Sequence, residues 1–146
     1  MTTIFTIGFT QKSAETFFGL LQHAGVRRVL DARLHNTSQL AGFAKQDDLR
    51  YFLDAIGRIG YRHEPLLAPS EAIFSDYRKK AITWPEYESR FHALLQERAI
   101  ESRLEPAELG GACLLCSEAT PQRCHRRLVA EYLATHWPDV EIVHLV

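Results

Sequence analysis

The sequence lacks any marked excess of charge: 17 lysines and arginines nearly balance 18 aspartates and glutamates, for a formal net charge of -1. A global attraction to polyanions is therefore disfavoured, and any affinity for phosphate must come from a local arrangement of residues. Long hydrophobic runs are missing too, since no stretch approaches the roughly 20 apolar residues that span a bilayer. The start, MTTIFTIGFTQ, has no basic flank or cleavage site. We therefore expect a cytoplasmic protein with no membrane association.

Cysteine is scarce, with 3 residues in a chain of 146. This odd number, in a chain long enough to fold without crosslinks, disfavours a disulfide framework, and we expect free thiols. The interval between Cys116 and Cys124 does not match compact zinc spacings. Adjacent side chains such as Cys124 and His125 should also diverge on a helix. No metal and no cofactor are therefore predicted.

The sequence does contain an alternation of strand-like and helix-like segments. Runs of β-branched and aromatic residues predict strands over 4–9, 27–33, 61–69, 112–118 and 140–146. Helical spacing predicts one helix from Ser13 to Gly25, one around 49–56 capped by Asp47 or Asp48, and others over 70–82, 86–99 and 121–137. Residues 34–46 are a predicted loop and residues 105–111 a linker. The alternation predicts one α/β domain over residues 1–146, a mostly parallel sheet of about five strands with helices on both faces.

Polar residues follow several of these strands at the edge where ligands bind in parallel sheets. The first strand brings Thr10 to this edge, the second Asp31 and Arg33, and the fourth Cys116 and Glu118. Carboxylates, a cation and a thiol converging here predict an anion-binding site with catalytic groups. Two alternatives remain open: Asp31 and Arg33 form only an ion pair with each other, and Glu118 is only a helix-capping carboxylate.

The segment CLLCSEATPQRCHRRLVAEYL, residues 113–133, contains every cysteine of the chain. Pro121 is predicted to open a helix, which would place Cys124 in the first turn. The helix dipole and the neighbouring arginines would lower the pKa of this thiol from about 8.5 and favour the thiolate. The alternative is a packing role for Cys124. Cys113 is expected in the core, and Cys116 is left open between the two roles.

Several motifs in the chain match a known pattern. They are Thr-Ile-Gly at 6–8, Asp-x-Arg at 31–33, Phe-x-Lys at 43–45, Leu-Leu-Cys-x-Glu at 114–118 and Cys-His-Arg at 124–126. Over nearly its whole length the chain resembles the domain-of-unknown-function family 488. The resemblance implies an α/β domain in which Cys124, Glu118 and Arg33 cluster, and it implies no particular reaction. The chain departs from the family pattern at Asn36, at Ser38-Gln39 and at 67–69.

Two functional hypotheses follow. The first is a small enzyme in which Cys124, or else Cys116, is the nucleophile and Glu118 or Asp31 orients groups or relays a proton. The residues expected to bind its substrate are Arg33, Arg126, His125, Thr10 and Cys116. That substrate would be a small anionic molecule such as a phosphorylated metabolite, a nucleotide or a modified base.

The second hypothesis is a non-enzymatic module that binds a phosphate, a nucleotide or a nucleic-acid end, with the cysteine incidental. The near-neutral composition gives nucleic acid little support. Phe9, Tyr61 and Trp84 could stack on a base if they are exposed near the pocket. The sequence predicts no oligomeric state.

Overall fold

A computed structural model describes residues 1–36, 42–118 and 120–146. At its centre lies a five-stranded parallel sheet with the order β3-β2-β4-β1-β5. The strands are β1 (Thr2–Gly8), β2 (Arg28–Asp31), β3 (Gly60–His63), β4 (Ala112–Cys116) and β5 (Val140–Leu145). The helices are α1 (Ala14–Ala24), α2 (Gln46–Gly57), α3 (Glu71–Arg78), α4 (Trp84–Arg98), α5 (Ile100–Arg103), α6 (Pro106–Leu109) and α7 (His125–His136). Short 3-10 turns lie at Gly42–Ala44 and Pro65–Leu67. The predicted α/β class is confirmed.

Helices cover both faces of the sheet, because the central strands are apolar on both sides. On one face, Ile7 of β1 and Val29 of β2 pack with Phe17 of α1 and the rest of one core cluster, which includes α2. On the other face, Leu114 of β4 lies in a second cluster with Val129 of α7 and the buried residues of α3 and α4. Within the part of the chain that the structure describes, no helix is long and apolar enough to cross a membrane.

The helix ends that the sequence marks most clearly are confirmed. Ser13 caps α1 by accepting a hydrogen bond from the backbone N–H of Thr16. Gly25 ends the helix in the left-handed region, with φ of 74°, where the missing Cβ avoids a clash. In contrast, the N-cap of α2 is Lys45, and Asp47 and Asp48 lie in its first turn, where carboxylates still complement the helix dipole.

Two other boundaries were predicted wrongly. The stretch 105–111 is not a plain linker, because Pro106–Leu109 forms α6, which Leu109 anchors in the core. Helix α7 begins at His125 and not at Pro121. The guanidinium of Arg127 donates to the carbonyls of Pro121 and Gln122, so side-chain hydrogen bonds hold this turn where helical ones were expected.

Candidate functional site

Side-chain alternation in the sheet divides the predicted site into two clusters. Asp31 follows Val29 on the face that α1 and α2 cover, whereas Cys116 follows Leu114 on the face that α7 covers. Both clusters lie at the carboxyl edge, because β2, β4 and β1 run parallel. The first cluster is built around Arg33 and the second around Arg126.

In the first cluster, the carboxylate of Asp31 pairs with Arg33. The Nε and Nη2 atoms of Arg33 donate to its two oxygens at 2.8 Å each, and both residues are buried. Tyr61 Oη donates to Asp31 Oδ2 at 2.5 Å, and Asn36 Nδ2 lies 3.4 Å from the same oxygen. Burial would raise the pKa of Asp31, but the hydrogen bonds and charge of Arg33, together with Tyr61, lower it overall. Asp31 is therefore an ionised acceptor that its neighbours already occupy.

In the second cluster, Arg126 is fully buried and reaches back from the first turn of α7 to the end of β4. Its Nη1 donates to the carbonyl of Glu118 at 2.6 Å and to Cys116 Sγ at 3.1 Å, and lies 3.6 Å from Cys124 Sγ. Its Nε and Nη2 have no hydrogen-bond partner among the described residues. Burial lowers the pKa of Arg126 to about 10, so the group stays positive at neutral pH. The structure thus buries a cation in which two of the three guanidinium nitrogens have no partner among the described residues.

Glycine at position 8 makes this arrangement possible. Gly8 lies beside Cys116 in the sheet. A Cβ at this position would overlap the backbone oxygen of Glu118 and would come within 2.7 Å of Arg126 Nη1. A side chain at residue 8 would therefore separate the arginine from the carbonyl that it binds.

The two cysteines at the site are not free thiols, which corrects the expectation from the sequence. A disulfide joins Cys116 to Cys124, whereas Cys113 is free and buried, as predicted. The expectation failed because it rested on the number of cysteines and the length of the chain, whereas the turn over residues 120–123 returns Cys124 to the end of β4. Cys124 is the N-cap of α7 and not a residue of its first turn. It still lies next to helix N–H groups that have no helical acceptor.

His125 links the two clusters. Its Nε2 lies 2.6 Å from the carbonyl of Ala32, just beyond β2, and must donate there because a carbonyl only accepts. Burial lowers the pKa of His125 to about 4, although the bond to Ala32 acts in the opposite direction. The imidazole is therefore neutral at physiological pH, with the proton on Nε2.

Ligand atoms of Cys116, Cys124 and His125 all lie within 4.8 Å of one another. The expectation that Cys124 and His125 diverge is thus wrong, because only His125 has helical geometry. Even so, we do not assign these residues as metal ligands. The sulfurs are bonded to each other, and the charge of Arg126 at the sulfurs would repel a second cation.

The remaining predicted residues lie at the margin of the site. The side chains of Glu118 and Thr10 are exposed, and the group of Glu118 that bonds to Arg126 is its carbonyl. Lys12, which the sequence analysis did not select, lies close enough that its pKa is lowered, first by burial and then by the charge of Arg126. Only its place after the first strand could have signalled it.

The three aromatic residues considered for base stacking are engaged within the protein. Phe9 is buried, with the guanidinium carbon of Arg33 5.4 Å from its ring centre. Tyr61 binds Asp31 through its hydroxyl, and Trp84 stacks on Tyr87 at 4.9 Å. Their grouping into a stacking surface is therefore not supported. Ser38 and Gln39 lie outside the described residues.

Two surface pockets lie away from this edge. One, of about 460 Å³, lies between α1 and α2 and is lined mainly by aromatic and aliphatic side chains such as Phe18, Phe43 and Phe52. The other, of about 380 Å³, lies between α4 and α7 around His92 and Tyr132. Neither includes a cysteine or a buried arginine, so pocket size does not identify the chemistry here.

The fold and the site together define a parallel α/β protein with paired cysteines and a buried arginine at the carboxyl edge of its sheet. A family model described as domain of unknown function DUF488 matches residues 13–133. The chain belongs to this family, as the motifs around Asp31 and Cys124 indicated. Comparisons with curated proteins and with solved structures found no match.

Proposed function

We propose that this chain is a small cytoplasmic enzyme that binds a phosphorylated or otherwise anionic small molecule at the carboxyl edge of its sheet. Arg126 binds the anion, and Cys124 is the nucleophile once the cysteine pair is reduced. The observation that carries the proposal is the fully buried guanidinium of Arg126, whose Nε and Nη2 have no partner among the described residues.

The shape of the guanidinium supports an anion as its ligand. Nε and Nη2 form the edge through which arginine binds two oxygens of a carboxylate or phosphate in parallel. Nη1, on the far side, is held by the Glu118 carbonyl and by the sulfur of Cys116. A buried charge without a counterion is costly, and an anionic ligand would remove that cost. The nearby ammonium of Lys12 adds positive potential.

The surroundings of Cys124 support a reactive thiolate in the reduced protein. As the N-cap of α7, Cys124 lies at the positive end of the helix dipole, and Arg126 Nη1 is 3.6 Å from its sulfur. Both effects lower the pKa of a thiol. Cys113, on the other face of the sheet, is the contrast, because burial raises the pKa of its thiol.

The other proposed roles divide between the two clusters. Asp31 orients Arg33, and the five hydrogen bonds that its carboxylate accepts make it a poor proton relay. Glu118 is the better relay because its exposed carboxylate can exchange protons with solvent. His125 positions the start of α7, and Thr10 is available at the rim for a substrate contact.

Alkylation kinetics test the proposal. The protein is reduced, freed of reductant and treated with iodoacetamide across a pH series, and the label is located by peptide mass spectrometry. We expect Cys124 to react at nearly its full rate between about pH 6 and 7, and added phosphate to slow the reaction. Cys116→Ser should keep this behaviour, whereas Arg126→Met should lose it. A Cys124 rate that rises only near pH 8.5, as for an ordinary thiol, would count against the enzyme.

One observation favours a second candidate, a binding module without catalysis. The cysteines are joined and nearly inaccessible, while the buried Nε and Nη2 of Arg126, which have no partner among the described residues, could bind an anion whether or not a thiol reacts. Phosphate binding by calorimetry separates the two. In a binding module, Cys124→Ser keeps the affinity and Arg126→Met loses it, and the thiol shows no enhanced reactivity.

A further inference from the structure

We infer that Cys116 and Cys124 form a reversible redox couple that Arg126 makes easy to reduce, because its buried charge stabilises the thiolate that exists only after the disulfide is reduced. The inference deepens the proposed function, since it concerns the same site and states which oxidation state carries the nucleophile. It rests on three observations: the disulfide, the contacts of one guanidinium with both sulfurs, and the lack of a carboxylate in hydrogen-bond contact with Arg126 among the described residues, where the charge of Glu118 acts only from a distance.

Arg126 contacts both sulfurs of the cysteine pair. Arg126 Nη1 lies 3.1 Å from Cys116 Sγ and 3.6 Å from Cys124 Sγ, so one cation touches both members of the pair. A disulfide sulfur is uncharged and a weak acceptor, whereas a thiolate is a full anion. The interaction therefore strengthens when the disulfide opens.

The charges around Arg126 indicate that it shifts the redox equilibrium toward the reduced pair. Arg126 is fully buried, and its hydrogen bonds among the described residues go to neutral acceptors, namely a carbonyl and the two sulfurs. Arg33, in the neighbouring cluster, has the carboxylate of Asp31. Opening the disulfide creates the anion that Arg126 lacks. Couples whose reduced form is stabilised in this way are strong oxidants.

The reaction with a small thiol reductant balances as follows. A thiolate of the reductant attacks one sulfur, the bond between Cys116 and Cys124 breaks, and a mixed disulfide forms. A second reductant thiol then displaces the protein sulfur, which leaves one oxidised reductant disulfide. The protein gains two electrons and one proton, ending as one thiol and one thiolate beside Arg126. The second proton goes to solvent.

The two states have different consequences for the proposed enzyme. In the disulfide state, Cys124 cannot form the thiolate that would act as nucleophile, and the enzyme is inactive. In the dithiol state, Nη1 of Arg126 faces the thiolate while its Nε and Nη2 edge remains available for the anion. Reduction therefore activates the site without moving the arginine.

The test measures the reduction potential of the full chain. The protein is equilibrated in a series of dithiothreitol redox buffers, quenched in acid, labelled in denaturant with a maleimide mass tag and weighed intact. Cys113 contributes one constant tag. We expect Arg126→Met to shift the equilibrium toward the disulfide by about tenfold, which corresponds to about 30 mV. Arg126→Lys, which keeps the charge, should recover part of the shift.

Arg123→Met is the matched control. It removes the same charge from an exposed position next to Cys124, where solvent screens it, and should leave the potential within about 10 mV of the wild type. The pH dependence gives a second readout on unaltered protein. If reduction takes up one proton for two electrons, the reduction potential should fall by about 30 mV per pH unit near neutrality. If it takes up two protons, the potential should fall by about 59 mV per pH unit.

A wild-type slope near 59 mV, with Arg126→Met at the wild-type potential, would overturn the inference. So would reduced protein that holds one equivalent of zinc through the cysteines, since the pair would then be a metal site. Either result is distinguishable from failure of the proposed function, which is judged by alkylation of Cys124 and by phosphate binding.

Discussion

Arg33 and Arg126 are both buried at the carboxyl edge of one sheet, near the ends of the neighbouring strands β2 and β4, but their charges are balanced differently. Arg33 makes a two-point ion pair with Asp31, and its backbone N–H binds the same carboxylate. Among the described residues, Arg126 bonds to a carbonyl and two sulfurs, and the charge of Glu118 acts on it without a carboxylate contact. The first arginine is neutralised within the fold, and the second is not.

The difference indicates separate roles for two residues that the sequence presents alike. A cation with its own carboxylate has little to offer a ligand, so the Asp31–Arg33 pair is suited to fixing the end of β2. A cation without one raises the energy of the folded state until an anion neutralises it. We therefore expect the proposed function of this edge to depend on Arg126, and four predictions test the contrast.

The largest effect is expected on breaking the Arg33 pair. Asp31→Asn leaves Arg33 buried without a counterion and replaces one of the two acceptor oxygens that Arg33 and Tyr61 share with an amide donor. Loss of one partner of a buried pair costs about 3–5 kcal/mol, and we expect a decrease of this size in the free energy of unfolding, measured by urea denaturation. The double variant Asp31→Leu with Arg33→Met, which removes both charges, should recover most of the loss. If the double variant is as unstable as Asp31→Asn, the unpaired charge of Arg33 is not the reason for the lower stability.

The next effect concerns His125, which joins the two clusters through the Ala32 carbonyl. Burial lowers its pKa from 6.5 to about 4 in the folded protein. As the pH falls below 6.5 the unfolded chain binds the proton first, so this contribution to stability is complete above that pH and is lost as the pH falls toward about 4. His125→Gln should therefore show a flatter decline of unfolding free energy in this window.

His23→Gln, at the exposed end of α1, serves as the control and should keep the wild-type decline. Loss of stability from Asp31, whose pKa is also lowered, belongs to more acidic pH, below the ordinary carboxyl pKa of 3.8. The two contributions therefore separate along the pH axis. A wild-type decline that persists in His125→Gln would show that another group titrates there.

A smaller effect is expected at Gly8, which tests the packing behind Arg126. In Gly8→Ala the new methyl group would overlap the Glu118 carbonyl, and overpacking of this kind costs about 1–3 kcal/mol. Gly19→Ala, within α1 and with nothing within 4 Å of the added carbon, should instead stabilise the protein by up to about 1 kcal/mol. Thermal unfolding of the two variants measures the difference. Equal changes in stability for the two variants would mean that the loop at Glu118 moves to accommodate the methyl group without loss of stability.

Much of this architecture could be predicted from the sequence, because local rules act there without competition. The strands are short apolar runs. Ser13 starts α1 because its hydroxyl caps the first turn, and Gly25 ends α1 because a residue without a side chain adopts the left-handed conformation easily. The start of α7 could not be predicted, because Pro121 suits a first helical position but the Arg127 side chain binds the carbonyls there. That contact depends on tertiary geometry, which cannot be predicted from the spacing of apolar residues in the sequence.

The sequence identified which residues lie at the candidate site better than it predicted how they are arranged there. Asp31, Arg33, Cys116, Cys124 and Arg126 do lie at one edge, because the carboxyl ends of parallel strands must meet there. Their division into two clusters follows from side-chain alternation, which requires knowing which face each helix covers. The disulfide was missed for a related reason, since proximity of Cys124 to Cys116 depends on the turn between them.

The smallest effect on stability is expected for Arg126→Met, and it is the one that separates the two arginines most clearly. Methionine keeps most of the apolar stem, loses the bond to the Glu118 carbonyl, and removes a buried charge that lacks a carboxylate. These terms oppose each other, so the free energy of unfolding of the oxidised protein should change by about 1 kcal/mol or less. The same variant should lose phosphate binding. A buried residue whose removal spares the fold and abolishes binding is retained for its ligand, whereas a loss as large as that of Asp31→Asn would make Arg126 a structural residue like Arg33.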